Sequence, residues 1–382
     1  MLLLKTSRET LLAPLQTVSG IVEKRHTLPI LSNVLIEKKG SMLTLVATDI
    51  EIQITTGVSL EGGAEGSVTV AARKLQDILR SLPEASTVSL YLDEKRLVVK
   101  AGKSRFSLQT LPAEDFPQMS LNAAEPVSFS VTQKSFKHLL GQTQYAMAAQ
   151  DVRYYLNGML LQVEGNALRS VATDGHRLAF AQMDIEQTLD KQEIILPRKS
   201  VLELARLLAD SEDPLNITLA HNQARFSFGD VVFVTKLIDG KFPDYSRVIP
   251  PSFSNELPLN RIGFSQALQR ARILSNEKFS GVRLILENGV LKISAANAEQ
   301  EEAQEEIEVD YNGERLDIGF NVNYLLDVLG HVTDEQVVWR FNDSNSSALF
   351  GPADSSTFKY VVMPMRIEVA LDCESLCLNY LS

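Results

Sequence analysis

Cysteine is nearly absent from this 382-residue chain, and both examples, Cys373 and Cys377, fall within its last ten residues. No disulfide framework and no cysteine-built metal centre can organise the preceding residues. That suits a reducing compartment, and a cytoplasmic location is the expectation. The five histidines, His26, His138, His176, His221 and His331, are scattered without the short spacings of a metal site. No metal and no cofactor are therefore expected. Long apolar runs are lacking as well, since none approaches the ~20 residues of a membrane helix. The opening MLLLKTSRET has no basic start, no full apolar segment and no cleavage site of a secretory leader. No membrane partner is expected. Excess positive charge is also missing: 37 Lys and Arg stand against 48 Asp and Glu, a net charge of -11. Uniform basicity as a means of coating nucleic acid is excluded, although a basic surface inside an acidic whole is not.

What the chain does have is repetition. Val46-Ala47-Thr48-Asp49 returns as Val171-Ala172-Thr173-Asp174, 125 residues later, and fades into Ser294-Ala295-Ala296-Asn297 after a further 123. Arg73-Lys74 maps onto Arg198-Lys199 and Phe116-Pro117 onto Phe242-Pro243 at nearly the same period. The repeats divide the chain into domains 1–121, 122–250 and 251–367, with Pro, Asn and Ser gathering at the boundaries. Residues 368–382 form a C-terminal extension that reads as non-native or disordered.

Each third reads as two halves, a short helix followed by strands. Leu75, Ile78, Leu79 and Leu82 fall at i, i+3, i+4 and i+7, as do Val201, Leu204, Ala205 and Leu208, and Leu325, Val328, Leu329 and Val332. First-half helices are expected at 7–18, 133–143 and 265–274, with Pro14 kinking or shortening the first. Between helices the apolar period drops to two, as in Met159, Leu161 and Val163, in Val282, Leu284 and Leu286, and in Leu291, Ile293 and Ala295. Those are half-buried antiparallel strands. Leu43, Leu45 and Ala47 alternate, and Ile50, Ile52 and Ile54 resume in the opposite phase, so Thr48-Asp49 marks a turn. The sum is an α+β fold of three repeated domains, each with two helices packed on antiparallel sheets.

Counted by element, the charge is uneven. The second to fifth helices carry Arg73, Lys74, Arg80, Lys134, Lys137, Arg198, Lys199, Arg206, Arg270 and Arg272 against only Asp77 and Glu203. The densest acidic run is 299–308. If repetition sets these helices on one side, that side attracts a phosphate backbone without reading bases. Solvated helix faces are the plainer alternative.

Five motifs carry a resemblance: Thr27-Leu28-Pro29-Ile30-Leu31, Gln150-Asp151-Val152-Arg153-Tyr154-Tyr155-Leu156-Asn157-Gly158, Thr173-Asp174-Gly175-His176-Arg177-Leu178, Ile273-Leu274-Ser275-Asn276-Glu277-Lys278-Phe279 and Tyr360-Val361-Val362-Met363-Pro364-Met365-Arg366. In this order they resemble the beta subunit of bacterial DNA polymerase III, the beta sliding clamp family, over residues 1 to about 367. The resemblance implies a non-catalytic processivity factor. Two copies would close head to tail into a ring, with helices lining the hole and sheets outside, around duplex DNA held without sequence specificity. Replicative and lesion-bypass polymerases, the clamp loader, ligase and mismatch-repair proteins would dock through short peptides containing Gln, Leu and Phe.

Carried over residue by residue, the family's DNA contacts fall on Arg25, Arg73, Gln150, Tyr154, Tyr155, Lys199 and Arg247. Ala149 departs from the pattern, which has histidine beside the glutamine. The partner-peptide groove would comprise Leu156, Thr173, Gly175, His176, Arg177, Leu178, Pro243, Arg247, Val248, Asn321, Tyr324, Val361, Val362, Met363, Pro364, Met365 and Arg366. The dimer interface would set Lys74, Ile78, Leu82, Arg105, Phe106 and Leu108 of one copy against Arg270, Ile273, Leu274, Glu301 and Glu305 of another.

Catalytic signatures are missing: there is no G-x-x-x-x-G-K-[ST] loop, no G-x-S-x-G elbow and no H-E-x-x-H pair. No catalytic residue is expected. Two rival readings stay open at this point. One is a DNA-modifying hydrolase using Asp174 and His176; the other is a structural ring that encircles no nucleic acid.

Overall fold

The computed structural model describes residues 1–24, 27–121 and 124–366. Among these, six helices interrupt an otherwise stranded chain: α1 (Arg8–Ser19), α2 (Ala72–Ser81), α3 (Gln133–Thr143), α4 (Arg198–Leu207), α5 (Arg261–Arg272) and α6 (Val322–His331). Each follows a strand without an intervening loop. At four junctions the last strand residue caps the helix. The side chains of Ser7, Thr132, Asn260 and Asn321 accept from the amides of Thr10, Ser135, Gly263 and Asn323 at 3.2, 3.1, 2.8 and 2.9 Å. Each cap satisfies an amide the first helical turn leaves open and contributes about 1 kcal/mol.

Several expectations need correction. Pro14 does not shorten α1, which continues to Ser19. Leu11, Leu15 and Val18 are fully buried and hold the helix across the missing amide. α5 begins four residues earlier than expected, at Arg261, and ends before Ile273 and Leu274. Ile50 belongs to no strand; it sits in the turn with φ of 68° and is partly exposed. Residues 158–163 are not half-buried, because Leu160 and Gln162 are enclosed along with Met159, Leu161 and Val163. Much of the acidic run is strand, Glu302–Glu308.

The three sequence repeats fold into two compact units. The first comprises Met1–Leu140, Leu160–Leu168 and Asp184–Gly240; the second comprises Gly141–Met159, Arg169–Met183 and the residues from Lys241 onward. In the first unit a twelve-stranded sheet runs without a break from repeat one into repeat two. The junction is the antiparallel pairing of Ile52–Ser59 with Val231–Lys236, in which Ile54 faces Phe233. α1 and α2 pack together here on the strands of repeat one.

In the second unit the start of Arg177–Pro197 pairs with Phe358–Val362, Arg177 opposite Val362 and Ala181 opposite Phe358, and this joins repeat two to repeat three. A separate four-stranded sheet runs in the order Glu302–Glu308, Val290–Ala296, Gly281–Glu287, Leu316–Asn321, with α5 against its acidic end strand. The only tryptophan, Trp339, is fully buried and stacks on Phe350 at 5.7 Å with an interplanar angle of 11°. Such a pair adds about 0.5–1.5 kcal/mol beyond its area.

Candidate functional site

The repeated tetrapeptide is a turn. In both strong copies the threonine hydroxyl donates to the carbonyl four residues on, Thr48 to Ile52 at 2.8 Å and Thr173 to Arg177 at 2.6 Å. The aspartate Oδ1 then accepts two amides, those of Glu51 and Ile52 or of His176 and Arg177. Between them the backbone turns left-handed at Ile50 and at Gly175, with φ of 68° and 88°. Gly175 has a second constraint, because a Cβ there would lie 2.8 Å from the Arg153 guanidinium. Asp174 is thus spent on architecture, with its other oxygen 3.1 Å from Arg177 Nε. The same turn at Asp49 has no histidine beside it, so Asp174 and His176 do not form a catalytic pair.

Arg177 is the hub of the second unit's surface near the chain end, and its side chain is only 10% exposed. It donates to Asp174, to Asp327, to the Tyr145 carbonyl at 2.7 Å and to the Tyr360 hydroxyl at 3.4 Å. Its guanidinium lies 4.4 Å from the Tyr324 ring centroid, and the Tyr360 hydroxyl donates to the Tyr324 carbonyl at 2.9 Å. Burial works against the arginine charge, but Tyr360 and Asp327 outweigh it and hold its pKa above the ordinary value. Burial likewise pushes the Tyr360 and Tyr145 phenols up, so both stay neutral at physiological pH. Tyr145 stacks on His331 at 4.2 Å, and the His331 ring is fastened to the Asp327 carbonyl at 2.6 Å.

This network positions an apolar surface. The Met363 amide donates to the His176 carbonyl at 3.0 Å and the Met365 amide to the Gly319 carbonyl at 2.8 Å. Of the expected groove residues, Gly175, His176, Pro243, Arg247, Val248, Met363 and Arg366 are exposed, and Met363 is 50% exposed. Asn321, Tyr324, Pro364 and Met365 are half-buried. Leu156, Thr173, Leu178, Val361 and Val362 are buried beneath, so they support the surface rather than line it. Arg177 is half-buried, and its donors are engaged internally. Tyr245 brings the 243–248 segment alongside through its ring, 5.7 Å from Phe180.

The loop bearing the expected DNA contacts is self-bracing. Asp151 and Asn157 exchange hydrogen bonds of 2.9 Å, and Arg153 grips the Asp151 carboxylate at 3.0 and 2.9 Å. Gln150 adopts a left-handed φ of 57°, which turns it and Ala149 outward. Tyr154 is 58% exposed and meets Tyr155 edge to face at 5.7 Å. The Arg153 hydrogen bonds hold the Asp151 carboxyl at about 2, well below the usual carboxylate value. A carboxyl with a depressed folded pKa contributes order above its unfolded pKa and loses it as pH falls through the folded one. The loop contacts should persist from neutral pH through the ordinary carboxylate range and loosen only near pH 2. An NMR titration should give Asp151 an apparent pKa near 2, and an unperturbed value would refute the brace.

In the first unit, Arg73 and Lys74 are exposed on α2, and Arg73 donates to the Val22 carbonyl at 3.1 Å. Lys199 contacts Asp49 at 2.5 Å and Glu23 at 3.2 Å. Burial lowers its affinity for the proton, and Asp49 more than restores it. Counting charge by helix overlooks such partners. Lys134 and Lys137 meet Glu212 and Asp210, and in the second unit Arg270 meets Glu305. The helices are less basic than their own sequences suggest. Arg25 lies outside the described residues, as does the extension at 368–382.

Of the expected interface residues, Lys74 and Arg105 are exposed, Ile78, Phe106 and Leu108 are half-buried, and Leu82 is buried in its own chain. On the opposing set, Ile273 is 77% exposed and Leu274 half-buried. Glu305 is gripped by Arg270 at 2.8 and 2.7 Å, and Glu301 is exposed and bonded to Asn297 at 2.6 Å. Sequence reasoning missed Tyr145, Arg153 and Asp327, which organise both surfaces. Arg153 stands inside a quoted motif, but nothing in local spacing distinguishes Tyr145 or Asp327.

Among the described residues no cluster of His, Cys, Asp and Glu suits a metal ion, and no helix is long and apolar enough to cross a membrane. Three family models match in sequence: the DNA polymerase III beta subunit N-terminal domain at 2–120, its central domain at 130–244 and its C-terminal domain at 246–366. The chain is 52% identical to the beta sliding clamp of Pseudomonas aeruginosa over 362 residues, covering 94% of this chain and 98% of that one. It is 48% identical to the beta sliding clamp of Escherichia coli over 361 residues, with the same coverage. A solved sliding clamp from Pseudomonas aeruginosa bound to griselimycin superposes with a TM-score of 0.92 at 50% identity, over 96% of this chain and 100% of that one. The chain therefore belongs to the family of the DNA polymerase III beta subunit, the beta sliding clamp.

Proposed function

We propose that two copies of this chain close head to tail into a ring around duplex DNA, and that the surface around Met363 tethers replication and repair proteins by short peptides. The family is the non-catalytic processivity subunit of DNA polymerase III, so what matters here is surfaces rather than a reaction. The observation that carries the ring is a pair of unlike open strand edges. Strand Ser104–Leu111 pairs with Gly66–Ala71 only through Thr110 and Leu111, which leaves the edge from Ser104 to Gln109 without a strand partner among the described residues. It presents Phe106 and Leu108 on one face beside Arg105. Strand Glu302–Glu308 ends its sheet with four glutamates and lies against α5, the helix that Ile273 follows.

An open edge is a template for another strand, and unlike edges of opposite charge favour joining two copies in one direction. A closed ring holds DNA by topology, so phosphate contacts can be weak. Arg73, Lys199, Gln150, Tyr154 and Tyr155 suit that role, and Lys199 must share its charge with Asp49. Weak, salt-sensitive attraction without base readout permits sliding. Retention on nicked circular DNA, followed by release on linearisation, tests the ring; release from both forms would refute it.

The partner surface combines flexible methionines with a rim of Arg366, Arg247 and His176, a composition that adapts to several apolar peptides. Polymerases, the clamp loader, ligase and mismatch-repair proteins are the occupants this reading assigns, in the cytoplasm where replication takes place. Met363→Ala should weaken a labelled synthetic peptide containing Gln, Leu and Phe by about tenfold, the equivalent of roughly 1.4 kcal/mol of lost contact. Unchanged affinity by calorimetry would remove Met363 from the site.

A further inference from the structure

The family match stops at residue 366, and the solved relative is covered to its full length, so residues 367–382 are an addition to the shared fold. We propose that this addition docks back on the apolar surface around Met363 and competes there with partner peptides. The inference rests on the reading of that surface as a peptide site.

Four observations support it. The addition departs from the surface itself, because Met363 and Met365 are anchored to His176 and Gly319 and Arg366 follows directly. Leu376, Leu378 and Tyr380 alternate, which in an extended segment puts three apolar side chains on one face. The addition carries Glu368, Asp372 and Glu374 and no Lys or Arg, while Arg366, Arg247 and His176 are exposed on the surface it leaves. Leu376 stands ten residues beyond Arg366. A random-coil chain of that length would span an r.m.s. distance of roughly 18 Å, enough to double back.

Tethering makes a weak contact sufficient. A short flexible linker holds its cargo at an effective concentration on the order of 1 mM, so a segment that binds only at about that concentration when free would fill about half of the sites. A segment binding several times more tightly would raise the apparent Kd of an incoming peptide by the same factor. The result is a threshold that only stronger or multivalent partners overcome.

The test compares the full chain with one ending at Arg366, the length at which the relatives fold, using the same labelled Gln-, Leu- and Phe-containing peptide. Truncation should tighten its Kd by about threefold or more. Replacing Leu376, Leu378 and Tyr380 together by serine in the full chain should reproduce the gain, and the gain should persist at nanomolar protein. Equal affinity for the full and truncated chains overturns the proposal and leaves the peptide site standing. A gain from truncation but not from the serine variant assigns the effect to bulk obstruction and overturns apolar docking. A gain lost on dilution assigns the segment to a second copy and overturns docking in cis. If the peptide binds neither form, the reading of the site fails and the proposal with it.

Discussion

Replacing Ile273 and Leu274 together by alanine is expected to weaken each seam roughly a hundred- to a thousandfold, and the dimer, which has two seams, by more, each 1.4 kcal/mol being one factor of ten. Ile273 is 77% exposed at the exit of α5 although it is aliphatic, and Leu274 is only half-buried. Burying such a side chain contributes about 1.5–3 kcal/mol, and alanine forfeits most of that twice. The charges around them contribute less. Arg270 and Glu305 already satisfy each other within one chain, so pairing across the seam would exchange contacts rather than create them. Sedimentation at nanomolar concentration should show monomers that fail to stay on nicked circular DNA, with a melting temperature near that of the parent. A persistent dimer would remove these residues from the seam.

Arg177→Ala should be the most destabilising single change near the partner surface. It strips Asp174, Asp327, Tyr360 and the Tyr145 carbonyl of their shared donor. Breaking a fully buried pair costs about 3–5 kcal/mol; Asp327 is 37% exposed and regains water, so roughly 2–4 kcal/mol is expected. Thermal unfolding followed by circular dichroism should show a fall of about 5 °C or more. Arg177→Lys should not restore it, because one ammonium cannot serve acceptors arranged around a planar guanidinium. Peptide affinity should fall as well, since the Arg177 backbone is in register with Val362, one residue before Met363. A variant as stable as the parent would show the network to be incidental.

The repeat was legible because it is written in a turn whose chemistry needs specific letters. Thr48-Asp49 and Thr173-Asp174 supply a hydroxyl and a carboxylate that no apolar residue replaces. The helix caps recur just as regularly at Ser7, Thr132 and Asn260, yet they escape comparison because three different side chains do one job. All six helices were expected near where they stand, three of them from apolar spacing, but the bounds expected for α5 overran its end and the alternation at 158–163 hid their enclosure. Such spacing records one face of an element and not what covers the other. The partner surface was reachable only through the family motifs. Its organising contacts join Arg177 to Tyr145, Asp327 and Tyr360, residues 32, 150 and 183 positions away in the chain. No window of local sequence brings those four together.

The ladders that join consecutive repeats bear on how such a ring could be parted. Ile52–Ser59 with Val231–Lys236, and the first residues of Arg177–Pro197 with Phe358–Val362, make each passage from repeat to repeat part of a continuous sheet. Pulled along its strands, a ladder shares the load among its rungs, and none yields until all do. A loading machine that pries the ring apart therefore meets its weakest line at the seam between copies, where the strands that meet belong to separate chains and no covalent backbone backs their pairing.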